Sequence, residues 1–399
     1  MRSLIRLYNK YITKIGVYFK QLIIINILFI SFVYPLSNTK SDIYENYFYK
    51  IKQDDSDAYS QIMPKALEAE ILVENQEYSK AAEIYYEICL ISDDVELAKR
   101  ATQVSGYARN YDLMLKSSER WLVLAENKIS AMHVRISIFI ALKQSDLAAK
   151  ETLSIIKLSK DKDKFALVYD TLKVFDDKTI KKIFDQVYKE YKNEYLANFY
   201  YVQILLNNEA YEEAITIIQN SYKFKEFSKK ESRWGIFLAD AYYEIGETDL
   251  SIKVLKDYLH YSPKDIYLNQ YYARVLTLQE RYKEALNHYR FMSANKLIDF
   301  SDIDVAKKMA ILNIEAKNYI DAITFINSIK DKNINGYNYL NGVINIKKEN
   351  YKKAESYLLK IEQTDNNYIN SIKEISKIKI INKEISLLKS FFAEQYKRA

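Results

Sequence analysis

Hydrophobic residues recur along most of this chain at spacings of three and four, between short polar turns, and this period predicts amphipathic helices. Residues 232–295 contain one helix-turn-helix pattern twice. Ala239 returns as Ala273, and Ser251 returns as the equally small Ala285, after 34 residues in both cases. A fixed period of this length indicates an array of repeated helix pairs.

A short tag marks the start of each second helix: an aromatic residue followed three residues later by Ala. Residues three apart share a helix face, so the small Ala lets the paired helix approach while the Tyr closes the turn. The clear tags are Tyr78 with Ala81, Tyr211 with Ala214, Tyr282 with Ala285, Tyr319 with Ala322, and Tyr351 with Ala354. Tyr111 with Met114 is a weaker copy, and we count the helical runs in 129–157 and 165–191 as degenerate repeats.

Two further patterns concern helix ends. Asp93, with Glu96 three residues later, predicts a capping box at the start of the second repeat. From residue 366 to 396 apolar residues keep spacings of three and four, which predicts one long Lys-rich helix. Such a helix would cap the array or, alternatively, dimerise as a coiled coil.

The composition agrees with an all-α fold. The 399 residues include 6 Gly and 3 Pro, whereas average usage is roughly 7% and 5%, so few residues are available for β-turns or phosphate-binding loops. The single cysteine, Cys89, lies in an apolar run. It therefore excludes a disulfide framework and a thiolate metal cluster, and it predicts a buried thiol.

The formal net charge of +6 is concentrated at the N-terminus. Five cations without an acid precede the apolar run, so the remaining chain is near neutral and lacks an electrostatic footprint for nucleic acid. The cations are Arg2, Arg6, Lys10, Lys14 and Lys20. On a helix, the first four form one stripe suited to an anionic membrane surface.

Residues 1–37 are predicted to be a targeting segment. The apolar run of residues 22–34 has the length of a secretory h-region, roughly 7 to 15 residues, and is shorter than the ~20 of a spanning helix. Pro35 before Ser37 makes a poor cleavage site, so a cleaved signal peptide and an inner-membrane anchor formed by residues 22–36 both stay open. Both predict an exported, periplasm-facing remainder. A mitochondrial presequence is a third alternative.

Residues 38–64 are predicted to be a solvated linker. Its acidic run starts at Asp54, but Tyr59 and Lys65 stand where an EF-hand loop needs Gly and Glu, so we expect no calcium site. The predicted division of the chain is then a targeting segment at 1–37, a linker at 38–64, a helical array at 65–365 and a capping helix at 366–399.

The repeated residues resemble the tetratricopeptide repeat (TPR), whose signature is a large residue, Leu-Gly, an aromatic, a small Ala, an aromatic and a Pro. The matching residues in the first copy are Leu238, Ala239, Tyr242, Ser251 and Pro263, with Trp234 one place before the usual Trp. The resemblance implies an all-α, right-handed superhelical α-solenoid of about nine TPR-like helix-turn-helix repeats with an N-terminal hydrophobic helix. Residues 95–127 are also similar to early repeats of exported TPR proteins of Gram-negative bacteria, although the Cys of a lipoprotein is missing.

In the TPR family the first helix of each repeat lines a concave groove that binds an extended peptide or a partner helix. Transferred through the tags, the groove residues are Leu196, Phe199, Gln203, Arg233, Ile236, Asp240, Tyr243, Tyr267, Gln270, Arg274, Asp304 and Lys307. Their aromatic and Arg members would anchor a protein segment with some acidic character. Alternatively, these residues are the exposed sides of ordinary helices.

The sequence contains no arrangement typical of an active site. Its three histidines, at 133, 260 and 288, fall in different repeats without metal-ligand spacing, and His260 is expected to be solvated near a helix end. There is no nucleophile elbow, phosphate-binding Gly loop or His-Glu-x-x-His motif.

We therefore expect a non-catalytic protein-protein interaction scaffold of the bacterial cell envelope. Its expected partners are a protein or peptide segment and, through the N-terminal segment, a membrane. We expect no cofactor, metal, nucleic acid or small-molecule substrate. The alternative is an accessory subunit or cryptic enzyme of envelope biogenesis built on helical repeats.

Overall fold

A computed structural model of the protein describes residues 56–160, 162–221 and 231–384, together with 387, 388, 390 and 391. The described residues form nineteen helices and no strand, as the period of the sequence predicts. The predicted targeting segment lies outside them. Among the helices that are described, none is both long enough and apolar enough to cross a membrane.

The chain divides into two units, residues 1–224 and 225–399. The helices of the first unit are α1 (Ser56–Glu74), α2 (Tyr78–Ile91), α3 (Val95–Tyr107), α4 (Tyr111–Leu124), α5 (Ile129–Ala141), α6 (Ser145–Leu158), α7 (Lys164–Leu172), α8 (Asp177–Tyr191), α9 (Tyr195–Asn207) and α10 (Tyr211–Ser221). Those of the second are α11 (Ser232–Glu244), α12 (Thr248–Tyr261), α13 (Ile266–Leu278), α14 (Tyr282–Ala294), α15 (Ile303–Glu315), α16 (Tyr319–Ser328), α17 (Ile334–Lys347), α18 (Tyr351–Leu358) and α19 (Tyr368–Ile381). In each pair we call the odd-numbered helix the first helix and the even-numbered helix the second.

One kind of turn joins the two helices of every pair except α7 and α8. The residue two places before the second helix has positive φ, and we call it the turn residue. The turn residues are Gln76, Arg109, Lys143, Glu209, Gly246, Glu280, Lys317 and Glu349. In the first turn, the N–H of Gln76 donates to the carbonyl of Val73 at 3.0 Å and that of Glu77 to Leu72 at 2.8 Å, which is a Schellman motif.

Small residues at fixed distances from the turn residue let the paired helices approach. Five places after it, on the second helix, lie Ala81, Ala148, Ala214, Ser251, Ala285, Ala322 and Ala354, all at 0% exposure. Seven places before it, on the first helix, lie the buried Ala69, Ala239, Ala273 and Ala310 and, in α17, Gly342. The predicted Ala tags are confirmed, because each of the five lies where two helices meet and each tag Tyr begins a second helix.

The pair α7 and α8 departs from this pattern. It lacks a turn residue, and Ile180 lies three places after the start of α8, where most other pairs have Ala. The two helices approach each other less closely than those of the other pairs. Their contact is made by ring edges, with Tyr169 and Phe184 at 6.4 Å between centroids. α8 thus has a branched side chain where most other second helices have a small one.

Helix starts differ from the sequence prediction in two places. α1 begins at Ser56 and contains Pro64, so residues 56–64 are helical and the predicted linker boundary is wrong. The N-cap of α3 is Asp94, whose carboxylate accepts from the N–H of Glu96, and the predicted cap at Asp93 is wrong. Asp93 instead accepts a hydrogen bond from Arg120 at 2.6 Å.

The predicted single helix from 366 to 396 is also wrong. α19 ends at Ile381, and Lys383 has positive φ and the same turn hydrogen bonds as the paired helices. Phe391, beyond this turn, is buried in one cluster with Ile375 and Ile378 of α19. The chain therefore folds back on α19 as it does within a helix pair.

The buried thiol predicted at Cys89 is confirmed. The side chain is fully buried in α2 and donates to the carbonyl of Tyr86 at 3.2 Å. Burial raises the pKa of the Cys89 thiol to about 11, which keeps it protonated at physiological pH.

Candidate partner-binding face

Most of the predicted groove residues lie on three first helices of the second unit. We call the side of α11, α13 and α15 that carries the predicted groove residues the first-helix face. α11 and α13 contact each other directly, whereas α13 and α15 approach less closely.

The most exposed aromatic residue of this face is Tyr267, in the first turn of α13, whose exposed fraction is 72%. Gln270 and Arg274 follow on the same side of α13 and are also exposed. Spacings of three and four align these side chains along the helix. A rigid helix thus presents an aromatic ring, an amide and a guanidinium to solvent in one row.

A hydrogen bond between α11 and α13 supports this row. The hydroxyl of Tyr271 donates to the Asp240 carboxylate, and the Arg274 guanidinium lies 5.9 Å from the centroid of the Tyr271 ring. Burial, reinforced by the bond to Asp240 and its charge, raises the pKa of Tyr271 well above its usual range. Tyr271 is therefore a neutral donor, and Asp240 holds the two helices together from a half-buried position.

The other predicted charges of the face are partly satisfied. Arg233 is exposed but pairs with Glu231 at 2.9 Å. Lys307 forms an ion pair with Asp304 at 3.6 Å. Its side chain also packs against α17, since a Cβ added at Gly336 would lie 3.1 Å from Lys307 Cε. Of the cations predicted for the groove, this leaves Arg274 as the one whose charge is available to a partner.

Ile236 and Tyr243, the remaining predicted residues of α11, are half-buried. The predicted residues on α9 belong to the first unit. Leu196 and Gln203 are half-buried, whereas Phe199 is 6% exposed and packs edge-on against Tyr200 at 5.5 Å. Phe199 as a groove residue is therefore wrong, because its ring is used in packing.

An equivalent link joins α1 and α3 in the first unit. Arg100 donates from Nε and Nη2 to the two oxygens of Glu70, at 2.8 Å each, and the hydroxyl of Tyr85 donates to the same carboxylate. Glu70 and Asp240 both lie six places before their turn residues, and Arg100 and Tyr271 both lie nine places before theirs. The spacing within one helix does not predict a role for Tyr271, whereas its distance from the turn residue does.

The histidines lie apart, as the sequence predicts. His133 on α5 has Nδ1 2.6 Å from Thr171 Oγ1 on α7, and burial lowers the pKa of His133. His288 on α14 packs against Tyr272, while His260 is exposed in the last turn of α12. Within the described ranges, no group of three or more His, Cys, Asp or Glu side chains is arranged to hold a metal ion.

No family model matches the chain, and no curated protein does. Among solved structures, the chain is similar to the C-terminal part of a TPR repeat-containing protein from Cytophaga hutchinsonii, with 16% identity over 68% of this chain and 98% of that one and a TM-score of 0.33. It is also similar to yeast Tom70, with 11% identity over 85% and 92% and a TM-score of 0.34.

A third similar structure is residues 41 to the end of MamA from Desulfovibrio magneticus RS-1, with 14% identity over 51% of this chain and 95% of that one and a TM-score of 0.28. TPR-repeat proteins are thus among the structures that this chain resembles. Its own helix pairs, with their common turn and buried small residues, show the helical-hairpin repeat that the TPR resemblance implies.

Proposed function

We propose that this protein is a non-catalytic protein-protein interaction scaffold that binds a protein segment on the first-helix face of the second unit. The observation that carries the proposal is the solvent-exposed pair Tyr267 and Arg274 on one side of α13. Tyr and Arg are the residues that most often dominate interface energetics, at about 2 kcal/mol or more when truncated. The hydrogen bond between Tyr271 and Asp240 holds the backbone of α13 in place, so binding costs little backbone conformational entropy.

Tyr271 does not have the ionisation that a catalytic tyrosine needs. A catalytic tyrosine or carboxylate needs a pKa near the working pH. The pKa of Tyr271 is instead raised, and its partner Asp240 serves as a hydrogen-bond acceptor between helices. Both groups act in holding α11 against α13.

The experiment for this proposal is a crosslinking pulldown with the double variant Tyr267→Ala and Arg274→Ala. A matched control is Tyr261→Ala with Arg290→Ala, which removes an exposed Tyr and an exposed Arg from the second helices α12 and α14. We expect the first variant to lose partner capture with unchanged helix content, and the control to keep it.

Equal capture by the first variant and wild type would show that the partner binds elsewhere. Loss of capture by the control alone would assign binding to the second helices. Loss of helix content in the first variant would show that the two side chains support the fold.

We further propose that residues 1–37 direct export and that the repeats face the periplasm. The support is the sequence, where five cations precede the apolar run that starts at Leu22. A reporter active only in the cytoplasm, fused after Ala399, is expected to be silent, and activity would reject export. Mass spectrometry of the mature N-terminus would separate a cleaved signal peptide from an anchor.

A further inference from the structure

At two boundaries, consecutive first helices are joined through the same two positions. The first position is on the earlier helix, six places before the turn residue of its own pair. The second position is on the later helix, nine places before the turn residue of that later pair. Between α1 and α3 these positions hold Glu70 and Arg100, which form a bidentate ion pair. Between α11 and α13 they hold Asp240 and Tyr271, which share a hydrogen bond. At both boundaries an acceptor meets a donor.

Between α13 and α15 the same positions hold two cations. Arg274 lies six places before Glu280, and Lys308 lies nine places before Lys317. Both side chains are exposed, and neither forms an ion pair with any residue in the described part of the chain. This boundary therefore lacks the acceptor that the other two boundaries have.

The spacing between α13 and α15 agrees with the missing link. The two helices approach less closely than α11 and α13 or α15 and α17, and residues 295–302 connect α14 to α15. Leu278 at the end of α13 and Ile311 on α15, three residues after Lys308, are 49% and 44% exposed. Leu278 follows Arg274 by four residues, about 6 Å along the helix.

We propose that Arg274, Lys308, Leu278 and Ile311 form a notch that binds an acidic side chain and a neighbouring apolar side chain of one partner segment. A carboxylate between Arg274 and Lys308 would supply the acceptor that this boundary lacks, with charge-assisted hydrogen bonds to both. The apolar side chain would cover Leu278 and Ile311 about one helical turn away. This notch deepens the proposed function and rests on it.

The adjacent apolar pair favours a protein carboxylate over a free inorganic anion. A phosphate ion would satisfy the two cations but leave Leu278 and Ile311 in water. Tyr267 lies on the same side of α13, seven residues before Arg274, so a ligand that contacts it and the notch must extend along the helix. A peptide chain has this length and both kinds of side chain.

The test uses the full chain and a fluorescein-labelled peptide of repeated Glu-Leu-Ala triplets, followed by anisotropy. We expect Arg274→Gln and Lys308→Gln each to weaken binding about tenfold, because each removes a hydrogen bond between charged groups. Gln in place of Glu, or Ser in place of Leu, in the peptide should weaken it to a similar degree. Lys253→Gln, which removes an exposed cation from α12, is the control and should leave binding unchanged.

Three outcomes would overturn the notch. If both Gln variants bind the peptide as wild type does while Tyr267→Ala weakens it, the face binds segments but the notch does not take part. If millimolar inorganic phosphate displaces the peptide and the Leu-to-Ser peptide binds equally well, the site takes a free anion. If wild type does not bind the peptide at about 1 mM, the recognition chemistry is wrong, and the pulldown with Tyr267→Ala and Arg274→Ala still tests the proposed function separately.

Discussion

Two glycines in first helices allow a quantitative test of how closely the paired helices approach each other. A Cβ added at Gly342 in α17 would overlap with Leu358 Cδ2 and lie 2.6 Å from its Cγ, and Leu358 is 1% exposed. A Cβ added at Gly106 in α3 would meet only the flexible end of Met114, at 3.4 Å. Substitution by Ala improves the helix propensity at both sites. The neighbouring side chain can move away from the new Cβ at Gly106 but not at Gly342.

The magnitudes follow from these contacts. Replacing Gly by Ala inside a helix stabilises it by about 0.8 to 1.0 kcal/mol. Overpacking a buried contact costs about 1 to 3 kcal/mol. We therefore expect Gly106→Ala to raise the free energy of unfolding by up to about 1 kcal/mol and Gly342→Ala to lower it by about 1 kcal/mol.

Each unit contains one of the chain's two tryptophans, which makes the assay specific. Trp121 is buried in the first unit and Trp234 in the second. Urea unfolding followed by fluorescence, with the other Trp replaced by Phe, reports Gly106→Ala through Trp121 and Gly342→Ala through Trp234.

A second variant isolates the clash. Adding Leu358→Ala to Gly342→Ala should give a favourable coupling of about 1 kcal/mol, because the overlapping atoms are gone. If Gly342→Ala stabilises the second unit as much as Gly106→Ala stabilises the first, the close approach of α17 and α18 is refuted.

Four further outcomes follow from the structure. Ala285→Leu should lower the free energy of unfolding by about 1 to 3 kcal/mol in urea titrations, and an unchanged midpoint would reject the repeat register. Glu349→Gly should raise the melting temperature and Gly246→Ala should lower it, because both have positive φ and a non-Gly residue there costs about 1 to 2 kcal/mol. The Cys89 thiol should react with iodoacetamide at pH 8 only after unfolding, since its pKa is raised by burial; labelling of the native protein at the rate of free cysteine would contradict this. Burial lowers the pKa of His288, so below about pH 6.5 the unfolded chain binds more protons than the folded protein. The free energy of unfolding should therefore fall as the pH drops towards about 5. In melting scans, His288→Phe should flatten that pH dependence.

The repeat and its second helices could be predicted because the deciding residues are local. A tag such as Tyr319 with Ala322 combines a turn aromatic with the small residue at the crossing, and both are needed whatever the rest of the chain does. The α-helical class followed from the same period. These features depend on residues that are three to five places apart.

Helix ends were harder to predict because the usual signals are missing. Most turn residues are charged, and only Gly246 is the glycine that normally marks such a turn. Around Lys383 the apolar residues keep their spacing of three and four, so the sequence does not reveal the turn there. Pro64 looked like a boundary, although α1 accommodates it.

The candidate site depends on which residues face each other between repeats, and spacing within one helix does not reveal this. Phe199 has the type and register of a groove residue, but its neighbours bury it. Tyr271 gains its role from a helix 31 residues earlier, as its bond to Asp240 shows. The role proposed for Lys308 depends on Arg274 of the preceding first helix in the same way. The assignment of the other groove residues to partner binding stays a prediction.

The irregular pair α7 and α8 has a consequence for how the first unit opens. α8 packs directly against α6 and α9, so the stack of helices is continuous without α7. α7 has nine residues and makes its closest contacts with the same two neighbours. In a linear array, where each contact contributes separately, such a helix can detach at a free energy well below that of the whole unit. Amide protons of residues 164–172 should then exchange through this small opening, which also releases Thr171 from His133, while α6 and α8 stay protected.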